Sequence, residues 1–198
     1  MILIIDNTKN LKKAYMTPKL LSYLDSLDVK YIVLSKREEV NNIIYHSINI
    51  KGCILTGGPL CLSEELTIDS INKNISILLH FKNIPILGIC FGFQVMSASY
   101  GGKIDSMNNQ DEGIFEVNLL KDSIIMKDLN DKFNVFQSHK DIVTQIPPNF
   151  DIIGIDKKNN IQIIENLEYK CWGVQFHPEG LESTNIIIKN FIDIVYKY

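Results

Sequence analysis

The sequence predicts an α/β fold: an open, largely parallel twisted sheet flanked by helices, with a mixed or antiparallel extension in its second half. Two observations predict it. Over roughly the first half, short unbroken apolar runs alternate with longer segments of helical spacing, the signature of parallel strands joined by right-handed crossovers. In the second half, short strand-like segments follow one another closely, without long helices between them, as antiparallel neighbours do. Residues 1–198 are expected to form a single domain, long enough to bury a sizeable core and without a linker or repeat.

The elements follow in order. Ile2-Leu3-Ile4-Ile5 is apolar on both faces and stops at Asp6-Asn7, as a strand covered on both sides does. Thr17-Pro18 reads as an N-cap followed by proline at the first helical position, with Leu20, Leu21, Leu24 and Leu27 at helical spacing behind it. Val29 to Leu34 is the second strand, Glu38 to His46 a helix, and Gly52 to Leu55 the third strand, ending at Thr56-Gly57-Gly58-Pro59. A helix from Ile68 to Phe81 leads to a fourth strand, Ile84 to Ile89. The second half offers strands at 114–119, 134–136, 151–155, 161–164 and 172–176, and a closing helix from Ser183 to Tyr196.

Composition excludes several classes. The net charge is −3, from 20 basic and 23 acidic residues, with no long run of one sign, so no nucleic-acid-binding surface is expected. The start lacks the basic region and apolar core of a signal peptide. No apolar run approaches the ~18 residues that span a bilayer, so no membrane partner is expected either. Cys53, Cys61, Cys90 and Cys171 show no CxxC spacing, which argues against a zinc site or a redox pair. The expected setting is the cytoplasm, with free thiols, no metal and no cofactor.

One segment carries chemistry. The strand Ile84 to Ile89 runs straight into Gly88-Ile89-Cys90-Phe91-Gly92, and a helical pattern follows. A lone cysteine at a strand end is ordinarily a packing residue. Framed by glycines between strand and helix, it instead reads as a nucleophile elbow, which pushes one side chain out above the sheet. A helix N-terminus beneath the sulfur favours the thiolate. A thiol nucleophile needs a base, and the base an orienter. Phe176-His177-Pro178-Glu179, at the end of another strand, offers His177 for the first and Glu179 for the second. His46, His80 and His139 lack this strand-end pairing with a carboxylate and read as surface or core histidines.

Gly88-Ile89-Cys90-Phe91-Gly92-Phe93-Gln94 followed by Val174-Gln175-Phe176-His177-Pro178-Glu179 resembles the class I, triad-type glutamine amidotransferases. Asp6-Asn7, Leu55 to Pro59 and Gln137-Ser138-His139 fit the same pattern, and the likeness runs from Ile2 to Phe191. It implies a flavodoxin-like sheet and glutaminase chemistry. Cys90 would attack the side-chain amide of L-glutamine, His177 would serve as base and acid, and Glu179 would orient it. The backbone N–H groups of Gly58 and Phe91 would form the oxyanion hole, and Gln94, Ser138 and His139 would contact the amino-acid end of the substrate. Phe93 stands where relatives commonly carry histidine, outside the triad.

Within the family, Ser138 to Val143 followed by Ile146 to Phe150 is similar to the separate amidotransferase subunit of GMP synthases. No Ser-Gly-Gly-x-Asp-Ser phosphate loop occurs, so the resemblance implies a partner: a separate ATP-dependent synthase subunit of the ATP-pyrophosphatase type. Three other readings stay open. One is an amidotransferase for another biosynthetic synthase. A stand-alone γ-glutamyl hydrolase-like peptidase would turn over without a partner. A catalytically silent regulatory subunit is the third, against which the intact Cys90, His177 and Glu179 argue.

Overall fold

The computed structural model describes residues 1–8, 15–35, 39, 42, 49–63 and 68–197. Its elements, in chain order, are β1 (Ile2–Ile5), α1 (Met16–Ser26), β2 (Tyr31–Leu34), β3 (Gly52–Leu55), α2 (Ile68–His80), β4 (Ile86–Ile89) and α3 (Phe91–Ser99). Then come β5 (Lys103–Leu119), β6 (Lys132–Gln145), β7 (Asp151–Asp156), β8 (Ile161–Asn166), β9 (Cys171–Val174) and α4 (Asn185–Lys197). The strands form one sheet in the order β2-β1-β3-β4-β9-β8-β7-β5-β6. From β2 to β9 all neighbours are parallel; from β9 to β6 all are antiparallel.

The unbroken apolar runs have the expected cause. Ile2, Ile4, Ile54, Leu87, Ile89, Trp172 and Val174 point to one face, where Leu20, Leu24, Ile188 and Phe191 of α1 and α4 cover them. Leu3, Ile5, Cys53, Leu55, Ile86 and Cys171 point to the other, under Ile77, Leu78, Phe93 and Met96 of α2 and α3. Both faces are dry, so successive side chains on a strand must both be apolar.

Three local expectations change. Helix α1 begins at Met16 behind Tyr15, whose side chain makes no capping bond, and Thr17 is buried inside the first turn. Pro18 sits where a missing N–H is harmless, so it marks the first turn without fixing the start. The strand segments 114–119 and 134–136 are parts of the much longer β5 and β6, 17 and 14 residues long. Most of their remainder is polar, because β6 lies at the sheet's edge and exposed strand faces need no apolar residues. Of the helix expected over 38–46, Glu39 and Asn42 are described and are helical; its other residues, His46 among them, lie outside the described residues. No helix among those described is long and apolar enough to cross a membrane.

The topology places the chemistry. Neighbours β4 and β9 run parallel, with Ile89 beside Val174, so Cys90 and the residues after Val174 emerge at the same edge. Residues Thr56 to Pro59 leave β3, the strand on the other side of β4, at that edge too.

Candidate active site

Cys90 occupies the turn between β4 and α3 with φ +49° and ψ −107°, a backbone state that costs ~1–3 kcal/mol for a residue with a Cβ and persists only when its surroundings hold it. Here they do: the Cys90 N–H donates to Val174 O at 2.8 Å, and Gln94 N–H to Cys90 O at 3.0 Å. The flanking glycines are required sterically. A Cβ on Gly92 would overlap Leu55 O, and one on Gly88 would lie 2.9 Å from Phe93 N.

His177 is anchored by its own backbone. Its N–H donates to Phe136 O at 2.9 Å, and Pro178–Gly180 then form a turn of 3₁₀-helix with proline at its start. The turn brings Glu179 back onto the imidazole, with Oε1 2.9 Å from His177 Nδ1. The opposite side of the ring faces Cys90 across Gly57: a Cβ placed on that glycine would lie 3.4 Å from His177 Nε2 and 3.4 Å from Cys90 Cβ. Cys90, His177 and Glu179 are each less than a tenth exposed. Burial alone would push the imidazolium down; the Cys90 sulfur and the Glu179 carboxylate outweigh it and raise it to about 10. The second oxygen of Glu179, Oε2, is buried with no hydrogen-bond partner among the described residues.

The turn after β3 closes the third side. A Cβ on Gly57 would sit 2.6 Å from His177 Cε1 and 3.4 Å from Cys90 Cβ, so the backbone lies flat against the thiol–imidazole pair. Gly58 lines the same cavity. Phe91 is the first residue of α3, and its N–H therefore has no acceptor within the helix. Its side chain is buried against Leu60 and Val95.

The far wall comes from β6. Ser138 O approaches Cys90 Sγ at 3.9 Å, and Ser138 Oγ accepts a bond from Gln110 Nε2 at 3.3 Å. Gln94 is buried, and its Nε2 donates to Asp141 O at 2.8 Å and Gln175 Oε1 at 3.3 Å. His139, which lacks a strand-end pairing with a carboxylate in sequence and on that ground reads as an ordinary histidine, lines the cavity. Its Nδ1 faces Asp141 O at 3.0 Å and its Nε2 faces Gln137 Oε1 at 2.9 Å. Gln137 is itself fixed by donation to Gln162 at 3.1 Å, and Gln162 by donation to Asp156 at 3.3 Å. A neutral ring carries one proton for two oxygens. Burial nevertheless holds the imidazolium down at about 4, against the pull of Asp111 and the Asp141 carbonyl.

The cavity encloses about 740 Å³. All eight residues singled out in the sequence thus lie in or immediately around one place. Gln175, whose Nε2 is 4.0 Å from Cys90 Sγ, and Asp141, which accepts from the Ser63 N–H at 2.9 Å, are additions from the structure. Both sit inside the recognised motifs, at positions where nothing in the sequence distinguishes a wall residue from a strand residue. Among the described residues no cluster of His, Cys, Asp and Glu is arranged to hold a metal.

Comparison with known proteins follows the same lines. The family model "Glutamine amidotransferase class-I" matches residues 3–194. A glutamine-hydrolyzing GMP synthase of Methanobrevibacter smithii, named as one subunit of that enzyme, is 32% identical over 85% of this chain and 87% of its own length. "GMP synthase [glutamine-hydrolyzing]" of Petrotoga mobilis is 37% identical over 73% of this chain, which spans only 28% of that longer protein. The crystal structure of a Thermoplasma acidophilum protein, likewise named for one GMP synthase subunit, superposes with a TM-score of 0.81 at 22% identity. The match covers 100% of this chain and 94% of that one, so the two share a fold. With a family match along almost its entire length and a relative about one-third identical across most of both chains, this protein belongs to the class I glutamine amidotransferases.

Proposed function

We propose that this chain is the glutaminase subunit of a GMP synthase-type pair, with Cys90, His177 and Glu179 as its catalytic triad. The observation that carries the reading is the meeting of Cys90 and His177 at the ends of adjacent parallel strands, both against Gly57, with Glu179 on the ring's Nδ1. His177 takes the thiol proton, and the sulfur adds to the side-chain carbonyl carbon of L-glutamine. The N–H groups of Phe91 and Gly58 receive the oxyanion, being fixed before charge develops there. The C–N bond breaks as His177 returns the proton to the leaving nitrogen, and ammonia departs. Water, deprotonated by the same imidazole, then cleaves the γ-glutamyl thioester and releases glutamate and the free thiol. Glu179 stabilises the imidazolium that forms twice in this cycle. Gln94, Ser138 and His139 hold the amino-acid end of glutamine.

The ammonia acceptor lies on a separate synthase subunit of the ATP-pyrophosphatase type. The Methanobrevibacter relative is named as one subunit of its enzyme, which supports a divided synthase. A cytoplasmic setting suits four cysteines that are all free. The test is steady-state glutamate release by the chain alone and with such a synthase, ATP and xanthosine monophosphate. Release should be weak alone and rise at least roughly tenfold in the complex, ~1.4 kcal/mol of barrier. Full activity alone, unchanged by any synthase, would mark a stand-alone γ-glutamyl hydrolase instead.

A further inference from the structure

The turn that carries Gly58 is held from outside the site by a buried pair of asparagines. Asn7 follows β1 and Asn74 lies on α2; both are essentially without solvent contact. Asn74 Nδ2 donates to Asn7 Oδ1 at 2.8 Å, and Asn7 Nδ2 donates back to Asn74 Oδ1 at 3.3 Å. Asn7 passes this constraint on. Its Nδ2 also donates to Thr56 O at 2.8 Å, and its backbone N–H to Thr56 Oγ1 at 3.0 Å. Thr56 Oγ1 donates in turn to Gly57 O at 3.0 Å. The Asn7 carbonyl lies 2.5 Å from where a Cβ on Gly58 would be, so its backbone packs directly on that residue. Thr56 O accepts, besides, from the Gly92 N–H at 3.2 Å, at the start of the helix that begins with Phe91.

We propose that Asn74 is a positioning residue for the oxyanion hole, acting through Asn7 and Thr56 on the turn of Gly58 and on the head of α3. The inference rests on the glutaminase reading above. Two buried amides are costly to desolvate and are tolerated only when paired. An apolar pair would fill the same space, but it would leave the turn free to rotate its N–H groups. Directional bonds remove that freedom, and a preformed donor is what oxyanion stabilisation requires. Lys73, the preceding residue on α2, donates to Asp6 O and Ser35 O. It fastens the same helix through two backbone carbonyls, one on the peptide that leads into Asn7 and one just past β2, and bonds neither the Asn7 side-chain amide nor Thr56.

The experiment compares Asn74→Ala with Lys73→Met in the full chain bound to its synthase, reading kcat, KM and Tm for each. Asn74→Ala should lower kcat for glutamate release at least roughly tenfold and leave KM within about twofold. Lys73→Met should lower Tm while keeping the kcat of the folded protein. The double variant Asn7→Ala/Asn74→Ala should be no worse in kcat than Asn7→Ala alone, because both act through one chain of bonds. If Asn74→Ala fails to fold, the isosteric Asn74→Leu, which fills the space but neither accepts from Asn7 nor donates to it, should show the same kcat loss. Unchanged kcat in the Asn74 variant, or an equal kcat loss in Lys73→Met, overturns the proposal and leaves the glutaminase reading intact. A wild-type complex that releases no glutamate overturns both.

Discussion

Glu179 does two things to His177: it accepts the proton of Nδ1, and its negative charge, with the Cys90 sulfur, keeps the imidazolium up at about 10 against the burial that would lower it. Those contributions come apart in Glu179→Gln, whose amide oxygen can still accept from Nδ1 but carries no charge. His177→Ala should cost about as much as Cys90→Ala, since members of a triad act as a unit. Glu179→Gln should retain more activity, and its pH profile should differ in a definite direction. A raised pKa means that the imidazolium persists as pH rises until the folded-state value is passed. Removing the carboxylate lowers that value in the free enzyme, so the alkaline limb of kcat/KM for glutamate release should move to lower pH in the Gln variant. An alkaline limb that stays in place would show that Glu179 orients the ring without tuning it. At this scale the sequence is informative about place: that Cys90, His177 and Glu179 come together is legible because an elbow and a His-Pro-Glu turn each need particular residues. His139 is half-legible. Its place in the family pattern points to the cavity, whereas the strand that carries it, polar and at the sheet's edge, gives no sign.

The turn from Thr56 to Pro59 shows what an element contributes that no single side chain does. Gly57 does not adopt a left-handed conformation, yet a Cβ there would stand 2.6 Å from His177 Cε1, closer than carbon atoms approach. The imidazole is already fixed on its other side by Glu179 and through its backbone by Phe136. Gly57→Ala should therefore displace the ring from Cys90 and cut glutamate release by about a hundredfold, the order of loss expected when a reacting group moves by ~1 Å. Tm should fall by only a few degrees, because the ring end can yield without disturbing the core. A Gly57→Ala protein with wild-type kcat would mean that the ring can shift without leaving its partner. The neighbouring elements explain where boundaries are hard to read. Proline permits a helix start one or two residues either side of it, hence a first helical residue of Met16 in place of Pro18. In β5, Ser106 pairs with Asp141 and Asp111 with His139, so the residues from Met107 to Gln110 bulge opposite Lys140. Alternation fails there, and with it the pattern by which a strand is recognised.

Across the whole molecule the two halves of the sheet are legible to different degrees for one reason, the number of covered faces. The parallel strands inside the edge strand β2 are sealed on both sides and carry runs such as Ile2 to Ile5 that have no other explanation. The antiparallel strands β5 and β6 carry a polar, partly exposed pattern, and their length emerges only from pairing with each other. Yet the site draws on both halves, with Cys90 and His177 from the parallel side and Ser138 and His139 from the antiparallel side. Its geometry therefore depends on the junction at β9. Trp172, the chain's single tryptophan, occupies that junction. It pairs with Leu87 of β4 in the parallel ladder and with Glu165 of β8 in the antiparallel one. Its Nε1 donates to Glu165 Oε2 at 3.0 Å, and its ring packs edge-on against Phe191 of α4. With its backbone shared by both ladders and its ring in the core under α4, it has no environment of its own that could survive the loss of either half. Urea unfolding followed by Trp172 fluorescence and by far-UV circular dichroism should accordingly give one midpoint and one slope, as a single cooperative unit does. Were the halves separate units, the dichroism, which sums over both, would show a second transition that the tryptophan does not. Loss of the site, followed by glutamate release in the same urea series, should then track the common curve, since no part of the cavity lies on an element that unfolds alone.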